Sequence, residues 1–471
     1  MNQPTDKLQS PSIDNLRWVL IILSSILLGI WAVKETIALR NILLVVGTLL
    51  SLYYIALEFR YEKLKEDLSL WKLLPLILIA CSFLWVIVHY FFFSVDPIAQ
   101  LDELKSTWLR ALLAFIVGLG AGLALRNYPN RLNLLWLGIL LAFCVLYYQY
   151  IPRALAQNQL LVPDYDHYLF HLKFNAVLAG MIFVAGIDGA LLDHFRAIHY
   201  QWSHLKLWYF LYWLVGTSMA LWAFVFIVNA RNGIGLSIIL YSFWFICVLI
   251  FFIQSQMRRP NVKSLLALLF AAIILCLVVY FAFLQTNINS GWNTILKDAK
   301  IAVQIERYPH WQNPAMGLPQ GEDGHIPADA NYGRIAWAVA GLSKIFENWY
   351  GVGTLAYPLG KHPNPPVNMP LGENDPGIAT HSGWIELGLA FGFPILALIF
   401  SVLLLSFIEA TRNAYPARMT VLGLVVLIFS LYTVGEVAIQ HGIEILYYLL
   451  AFISGLIFVK PTQAPINNLQ P

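Results

Sequence analysis

Long apolar runs dominate this sequence and leave few folds open to it. Each run approaches the 20 or so residues that a helix needs to cross a bilayer. Because hydrocarbon offers no partners to free backbone groups, a helix is the expected form of each run. The approximate bounds are 17–33, 41–59, 73–94, 109–125, 132–150, 172–192, 207–229, 233–254, 264–285, 383–408, 419–436 and 441–459. The sequence thus predicts an all-α integral membrane protein with about 12 transmembrane helices.

The composition excludes a soluble globular protein. Hydrophobic residues make up 59% of the chain and charged residues only 12%, whereas soluble domains average about 25% charged residues. No internal repeat and no additional soluble domain are evident, so we expect one polytopic membrane domain over residues 1–471. We expect membrane lipids as its partners, and no nucleic acid.

One polar segment of about 95 residues, from Thr286 to Thr380, interrupts the apolar pattern between the ninth and tenth runs. We assign residues 286–382 to a large, partly helical loop. Helical spacing of apolar residues predicts one helix from about 292 to 307 and a second from about 334 to 348, with Asn331 available as its cap. The second helix is expected to end at the turn Gly351-Val352-Gly353. A proline-rich stretch over 362–377 predicts an extended cover.

Basic residues predict the orientation in the membrane. With the N-terminus inside, the inner segments hold sixteen Lys and Arg, the short outer segments hold seven, and the long loop holds the other six of the 29. Because short cytoplasmic segments are enriched in Lys and Arg, both termini are expected to be cytoplasmic. The first run shows no clear cleavage site and is expected to be a retained helix. The large loop would then lie outside, in the periplasm of a Gram-negative bacterium.

Three residues near the outer membrane surface could carry chemistry. His381 lies where the tenth run begins, and a neutral histidine at a helix start is a usable general base. Arg231 lies at the outer start of the eighth run, and Arg334 opens the second loop helix; together they could hold a phosphate group. The simpler alternatives are an interfacial histidine, an arginine that reaches lipid headgroups, and a solvated surface charge.

No metal site is expected. The loop histidines His310, His325, His362 and His381 and the loop acids show no HxH, HExxH or Asp-x-Asp spacing. Covalent catalysis by Glu322, Asp323 or Asp329 is a further possibility, although the surrounding sequence is typical of solvated turns.

The order and placement of these motifs resemble the O-antigen ligase family, which belongs to a superfamily with O-antigen polymerases and protein O-oligosaccharyltransferases. The similar features are the spans, the long loop before the last three, Arg231 followed closely by Gly233, the run from Arg334 to Trp337, and then Gly351, Gly353 and His381. The resemblance covers nearly the whole chain. Two positions depart from the family pattern, because Ser382 replaces an asparagine and Ala390 replaces an acid. The partner that orients His381 is thereby left open, with Glu386 the nearest carboxylate.

The resemblance implies inverting, metal-independent transfer of a glycan from undecaprenyl pyrophosphate to a sugar hydroxyl of lipid A-core, without a cofactor. His381 would be the general base, and Arg231 and Arg334 would bind the pyrophosphate. It also implies an inner-membrane protein with a periplasmic active site. Further outer residues could line an acceptor groove, although an interfacial belt is the simpler interpretation of most of them: Asp164, Tyr165, Asp166, His167, Tyr168, His171, Lys173, Glu436, Gln440, His441 and Glu444.

Other functions stay open at this point. A polymerase would use the same donor but extend a second lipid-linked glycan, and an O-oligosaccharyltransferase would modify a protein Ser or Thr. A transporter or flippase is a different class, for which twelve helices is a common number. Transporters place ionisable residues near the bilayer midplane, whereas the centres of these runs hold almost none, which disfavours that class.

Overall fold

The computed structural model of the chain describes residues 11–60, 69–126, 128, 131–162, 168–197, 207–258, 262–289, 291–366, 379–412, 416–438 and 441–458. Within these ranges the secondary structure is helical, apart from one isolated bridge between Val33 and Phe170. The first half of the chain contains α1 (Pro11–Ile30), α2 (Ile37–Arg60), α3 (Leu70–Phe92), α4 (Pro97–Glu103), α5 (Leu109–Leu125), α6 (Leu132–Leu135), α7 (Leu137–Gln157), α8 (Lys173–Ala197) and α9 (Leu207–Trp222).

The second half begins with two long helices, continues with the polar segment and ends with three apolar helices. These elements are α10 (Arg231–Arg258), α11 (Val262–Ile288), α12 (Gly291–Ala302), α13 (Asp329–Glu347), α14 (Gly383–Arg412), α15 (Arg418–Val434) and α16 (Gly442–Leu456). Two π-helical turns, Leu104–Trp108 and Ala223–Ile227, follow α4 and α9. Two 3-10 turns, Pro309–Gln312 and Pro314–Met316, lie between α12 and α13.

Ten helices among the described residues are long and apolar enough to cross a membrane, and the protein is therefore a multi-pass membrane protein. α15 and α16 are apolar but shorter, with 17 and 15 residues. The predicted all-α membrane class is confirmed, whereas the count of about 12 spans stays a prediction. The fourth span also begins earlier than predicted, because α4 continues through the first π turn into α5. Asp96 accepts a hydrogen bond from the Ala99 amide at 3.0 Å and caps this early start.

α16 lies at the centre of the helix bundle, and all of its residues are buried. It packs closely against α5 through glycines. A β-carbon at Gly118 would collide with the carbonyl of Tyr448, and one at Gly122 would collide with the carbonyl of Phe452. Small residues at helix contacts allow this close approach in membrane proteins. Glu436 lies in the described part of the segment between α15 and α16.

The described residues between α11 and α14 form a cap with its own hydrophobic core, which includes Ile301, Trp311, Tyr332, Ala336 and Leu359 and extends to Ile385 and Leu389 of α14. Both predicted cap helices are present, although α12 ends at Ala302 and α13 already begins at Asp329. The prediction that Asn331 caps the second helix was wrong. The Ala328 carbonyl accepts the amides of Asn331 and Tyr332 at 3.0 Å, so the helix starts earlier and Asn331 lies inside its first turn. For the same reason Arg334 does not open this helix.

The cap docks on a break in α14. Gly392 has φ +71° inside this helix, a conformation that favours glycine, and a β-carbon there would collide with the carbonyl of Trp349. The predicted glycine turn follows α13 and fills the break. Val352 donates to the Leu389 carbonyl at 2.9 Å, and Gly353 donates to the Ala390 carbonyl at 2.7 Å. Most of the predicted proline-rich cover, residues 367–378, lies outside the described residues.

Candidate active site

A cavity of about 950 Å³ opens where the cap meets α10, α14 and α15. Arg231, Arg334 and His381, the three residues singled out in the sequence, all line it. Other polar residues that line the cavity include Asn232, Asn331, Thr380 and Ser382. The remaining wall includes apolar side chains of α10, α14 and α15, namely Leu236, Ile239, Phe400, Leu403, Leu404, Phe407, Val425, Val426 and Phe429. The cavity thus combines a polar region with an apolar surface between helices.

His381 lies two residues before α14 and is the base candidate. Its backbone has φ +54°, which is uncommon for a residue other than glycine. Its imidazole is about one-third exposed and lies 5.4 Å from the Trp337 ring, centroid to centroid. Its Nδ1 contacts a carboxylate oxygen of Glu436. Because Nδ1 faces this partner, Nε2 is the ring nitrogen left for a substrate proton.

Glu436, and not Glu386, is the carboxylate at His381. Glu386 instead accepts the amides of Val437 and Ala438 at 2.7 and 3.2 Å, so it shapes the turn that presents Glu436. The Glu436 side chain is only 8% exposed, and among the described residues its second oxygen has no hydrogen-bond partner. The sequence had indicated Glu436 only as a possible groove residue. No local pattern joins it to His381, because the contact depends on how the start of α14 packs against the end of α15, where the Gly383 amide donates to the Gly435 carbonyl at 2.7 Å.

Arg231 is the first residue of α10 and is held by the cap. Its Nη1 donates to Oδ1 of Asn331 at 2.5 Å, and Nδ2 of Asn331 donates to Asp298 and to the Gly291 carbonyl, both at 2.7 Å. Asp298 is fully buried on α12. Burial opposes its charged form, but the hydrogen bonds from His325, Asn331 and Thr294 outweigh burial and lower the pKa of Asp298. Sequence reasoning named Asn331 only as a helix cap and missed Asp298.

Arg334 projects from α13 toward Arg231. Its Nη1 lies 3.4 Å from Oδ1 of Asn232, a long hydrogen bond. Although the side chain is exposed, the surrounding protein partly desolvates the guanidinium and lowers the pKa of Arg334, while the Glu436 carboxylate opposes that shift. The two guanidinium groups are close enough to repel each other. Within the described part of the chain neither forms an ion pair with a carboxylate, so both are available to an anion.

The other candidate residues lie elsewhere or outside the described ranges. Glu444 is buried in a separate cluster with Arg110, Trp31 and His441. Tyr168 is buried and donates to the Val162 carbonyl at 3.1 Å. Three loop acids considered for covalent catalysis, Glu322, Asp323 and Asp329, do not line the cavity. Asp164, Tyr165, Asp166, His167 and Gln440 lie outside the described residues.

Over the ranges that the structure describes, no three His, Cys, Asp or Glu side chains cluster as metal ligands would. Comparison of the chain with protein-family models, curated proteins and solved structures gives no match. What the cavity can do chemically therefore follows from the residues that line it. These are a histidine in contact with a carboxylate, two arginines in contact with side-chain amides, and an apolar wall.

Proposed function

We propose that the protein is an O-antigen ligase, which transfers a glycan from undecaprenyl pyrophosphate to a sugar hydroxyl of lipid A-core. The observation that carries the proposal is that His381, with Glu436 behind it, lines the same cavity as Arg231 and Arg334. A base and two cations without a carboxylate partner suit a reaction that removes a proton from one substrate and releases a diphosphate from the other. The sequence resemblance to the ligase family points to the same reaction.

In the proposed mechanism Nε2 of His381 takes the proton of the acceptor hydroxyl. The acceptor oxygen attacks the anomeric carbon of the donor from the face opposite the diphosphate, and the carbon–oxygen bond to the diphosphate breaks. The configuration inverts, and undecaprenyl pyrophosphate leaves with the electron pair. Arg231 and Arg334 stabilise the charge on the leaving oxygen. Glu436 stabilises the imidazolium that forms on His381.

The shape of the cavity suits a lipid-linked donor. Its apolar wall includes side chains of α10, α14 and α15, where a polyprenyl chain could lie, while the diphosphate would contact the polar region. We propose about 12 spans, with α15 and α16 completing them, and both termini in the cytoplasm. The cap and the cavity would then face the periplasm, across the inner membrane of a Gram-negative bacterium.

Complementation of a ligase-deficient strain tests this function, given compatible donor and acceptor. We expect the wild type to restore glycan on lipid A-core, and His381→Ala, Arg231→Ala and Arg334→Ala to fail at matched membrane expression. Arg307→Ala is the matched control, because Arg307 is exposed, pairs with Glu322 and lies away from the cavity. Failure of a well-expressed wild type would overturn the ligase proposal.

A polymerase would have the same donor chemistry, and the glycans of a deletion strain distinguish the two enzymes. Long chains left on the carrier lipid indicate a missing ligase. Single repeat units indicate a missing polymerase. Loss of glycan from a protein Ser or Thr would indicate the O-oligosaccharyltransferase.

A further inference from the structure

Arg231 is held by a side-chain amide that is itself fixed by a carboxylate. Asn331 is only 5% exposed and Asp298 is fully buried. The hydrogen bonds run from Arg231 to Asn331 at 2.5 Å and from Asn331 to Asp298 at 2.7 Å. His325 and Thr294 contact the same carboxylate at 2.7 Å and complete its hydrogen bonding. Three elements, α10, α12 and α13, thus meet at one polar chain.

The surroundings fix the direction of the Asn331 amide. Its nitrogen faces two acceptors, the Gly291 carbonyl and Asp298, so its oxygen must face the guanidinium of Arg231. The reversed amide would place a donor against a donor and an oxygen against two acceptors. Arg231 therefore has a fixed orientation through a neutral oxygen. The nearest negative charge along this chain of hydrogen bonds, on Asp298, is one side chain further away.

We propose that Asn331, backed by Asp298, positions Arg231 while leaving its positive charge free for the diphosphate. A carboxylate at position 331 would orient Arg231 equally well, but it would form an ion pair that an incoming diphosphate must break. Arg334 follows the same pattern, because its contact is the amide oxygen of Asn232. This inference rests on the proposed function in naming the anion as the diphosphate of the donor; the positioning itself follows from the contacts.

Moving the negative charge from position 298 to position 331 tests the proposal. The double variant Asn331→Asp/Asp298→Asn keeps the net charge and an amide–carboxylate pair, but it places the carboxylate against Arg231. Asn331→Ala removes the tether without adding a charge. Asn293→Asp is the control, because Asn293 is exposed on α12 and does not line the cavity. Binding of inorganic pyrophosphate to the purified full-length protein and the Tm of each variant are the two measurements.

We expect the double variant to bind pyrophosphate about tenfold more weakly than the wild type or worse. The loss of pyrophosphate affinity in Asn331→Ala should be severalfold smaller than the loss in the double variant. Asn293→Asp should bind pyrophosphate as tightly as the wild type does. The double variant also loses the donor to the Gly291 carbonyl, so binding is measured well below the Tm of every variant. If the charge at position 331 did not matter, the order would reverse, and the double variant would bind pyrophosphate at least as tightly as Asn331→Ala. Equal affinity in the wild type and Asn331→Ala would also overturn the proposal, even if the double variant fails to fold.

The same measurements separate this inference from the proposed function. A wild type that binds pyrophosphate with the expected order of variants, but does not restore glycan on lipid A-core, supports the positioning role and overturns the ligase. If the wild type ligates glycan but the variants bind pyrophosphate in the reversed order, the ligase proposal is supported and the positioning role is overturned. If the wild type does not bind pyrophosphate, the positive charge of Arg231 is not available to a diphosphate, and the inference is overturned.

Discussion

The two sides of the cavity hold their key residues with opposite chemistry. His381 rests on the carboxylate of Glu436, whereas Arg231 and Arg334 contact the amide oxygens of Asn331 and Asn232. Both kinds of partner orient a side chain. Only the carboxylate also stabilises a positive charge, which helps a histidine that must accept a proton and would compete with the anion that an arginine must bind. The partner of a residue thus indicates its role as clearly as the residue itself.

Removing the base should have the largest effect on the rate of glycan transfer, and the effect should be confined to the His381 side of the cavity. We expect His381→Ala to lower the rate of glycan transfer by about 10³- to 10⁴-fold, at the upper end of general acid–base effects. Pyrophosphate binding should change far less than the rate, because Arg231 and Arg334 keep their contacts with Asn331 and Asn232. Rates with purified donor and acceptor, together with binding, check this. A parallel loss of pyrophosphate affinity would show that the two sides are not separate.

Changing the carboxylate partner to an amide should have a smaller effect of the same kind. Glu436→Gln keeps the shape but makes the partner of His381 resemble the partners of the arginines. We expect the rate to fall by about 100-fold, at the lower end of the general acid–base range, because the imidazolium loses its counter-charge. The matched control is Glu347→Gln, because Glu347 is an exposed carboxylate that pairs with Lys344 and does not line the cavity, and it should transfer glycan as the wild type does. Unchanged transfer by Glu436→Gln would remove the distinction between the two sides.

The smallest of the three expected effects is a pH-dependent change of stability on the arginine side of the cavity. The pKa of Asp298 is lowered from 3.8, so its unfolded form binds more protons in acid. Its stabilising contribution is therefore complete above the unfolded pKa and is lost only as pH falls through the lower folded pKa. His325 contacts the same carboxylate and is replaced by glutamine in both proteins, so that Asp298 is the group tested. The Tm difference between this His325→Gln protein and its Asp298→Asn derivative should then stay constant from pH 7 to 5 and shrink below about pH 4. A difference that shrinks already between pH 7 and 5 would mean that the pKa of Asp298 is not lowered.

Local patterns in the sequence indicated the helices and the three central residues, but not the residues that support them. Apolar runs and amphipathic spacing depend on neighbours within a few turns, and Arg231, Arg334 and His381 lie near the junctions that such patterns reveal. Their partners come from distant elements: Asn331 is 100 residues from Arg231, and Asp298 is 33 residues from Asn331. Periodicity carries no signal of these contacts.

Element boundaries failed where tertiary contacts decide them. The early start of α13 changed Asn331 from an expected cap into a buried link between Arg231 and Asp298. The break in α14 was also missed, although both Gly392 and Pro394 mark a place where a helix is easily interrupted. Pro394 has no N–H for the Ala390 carbonyl four residues earlier, and that carbonyl instead accepts the amide of Gly353, while the Trp349 carbonyl accepts the amide of Phe393. Glycine permits such a break, but its presence in a sequence does not require one.

The break at Gly392 also ends the segment of α14 that the cap and the bundle share. Within Gly383–Phe391, Ile385 and Leu389 pack in the core of the cap, whereas Trp384, Leu387, Ala390 and Phe391 pack in the core of the bundle. His381 lies two residues before this shared segment, so its place depends on how the cap docks. A chimera that exchanges the cap should therefore be joined inside α14, after Phe391, so that His381 is inherited together with the turn that docks beside it.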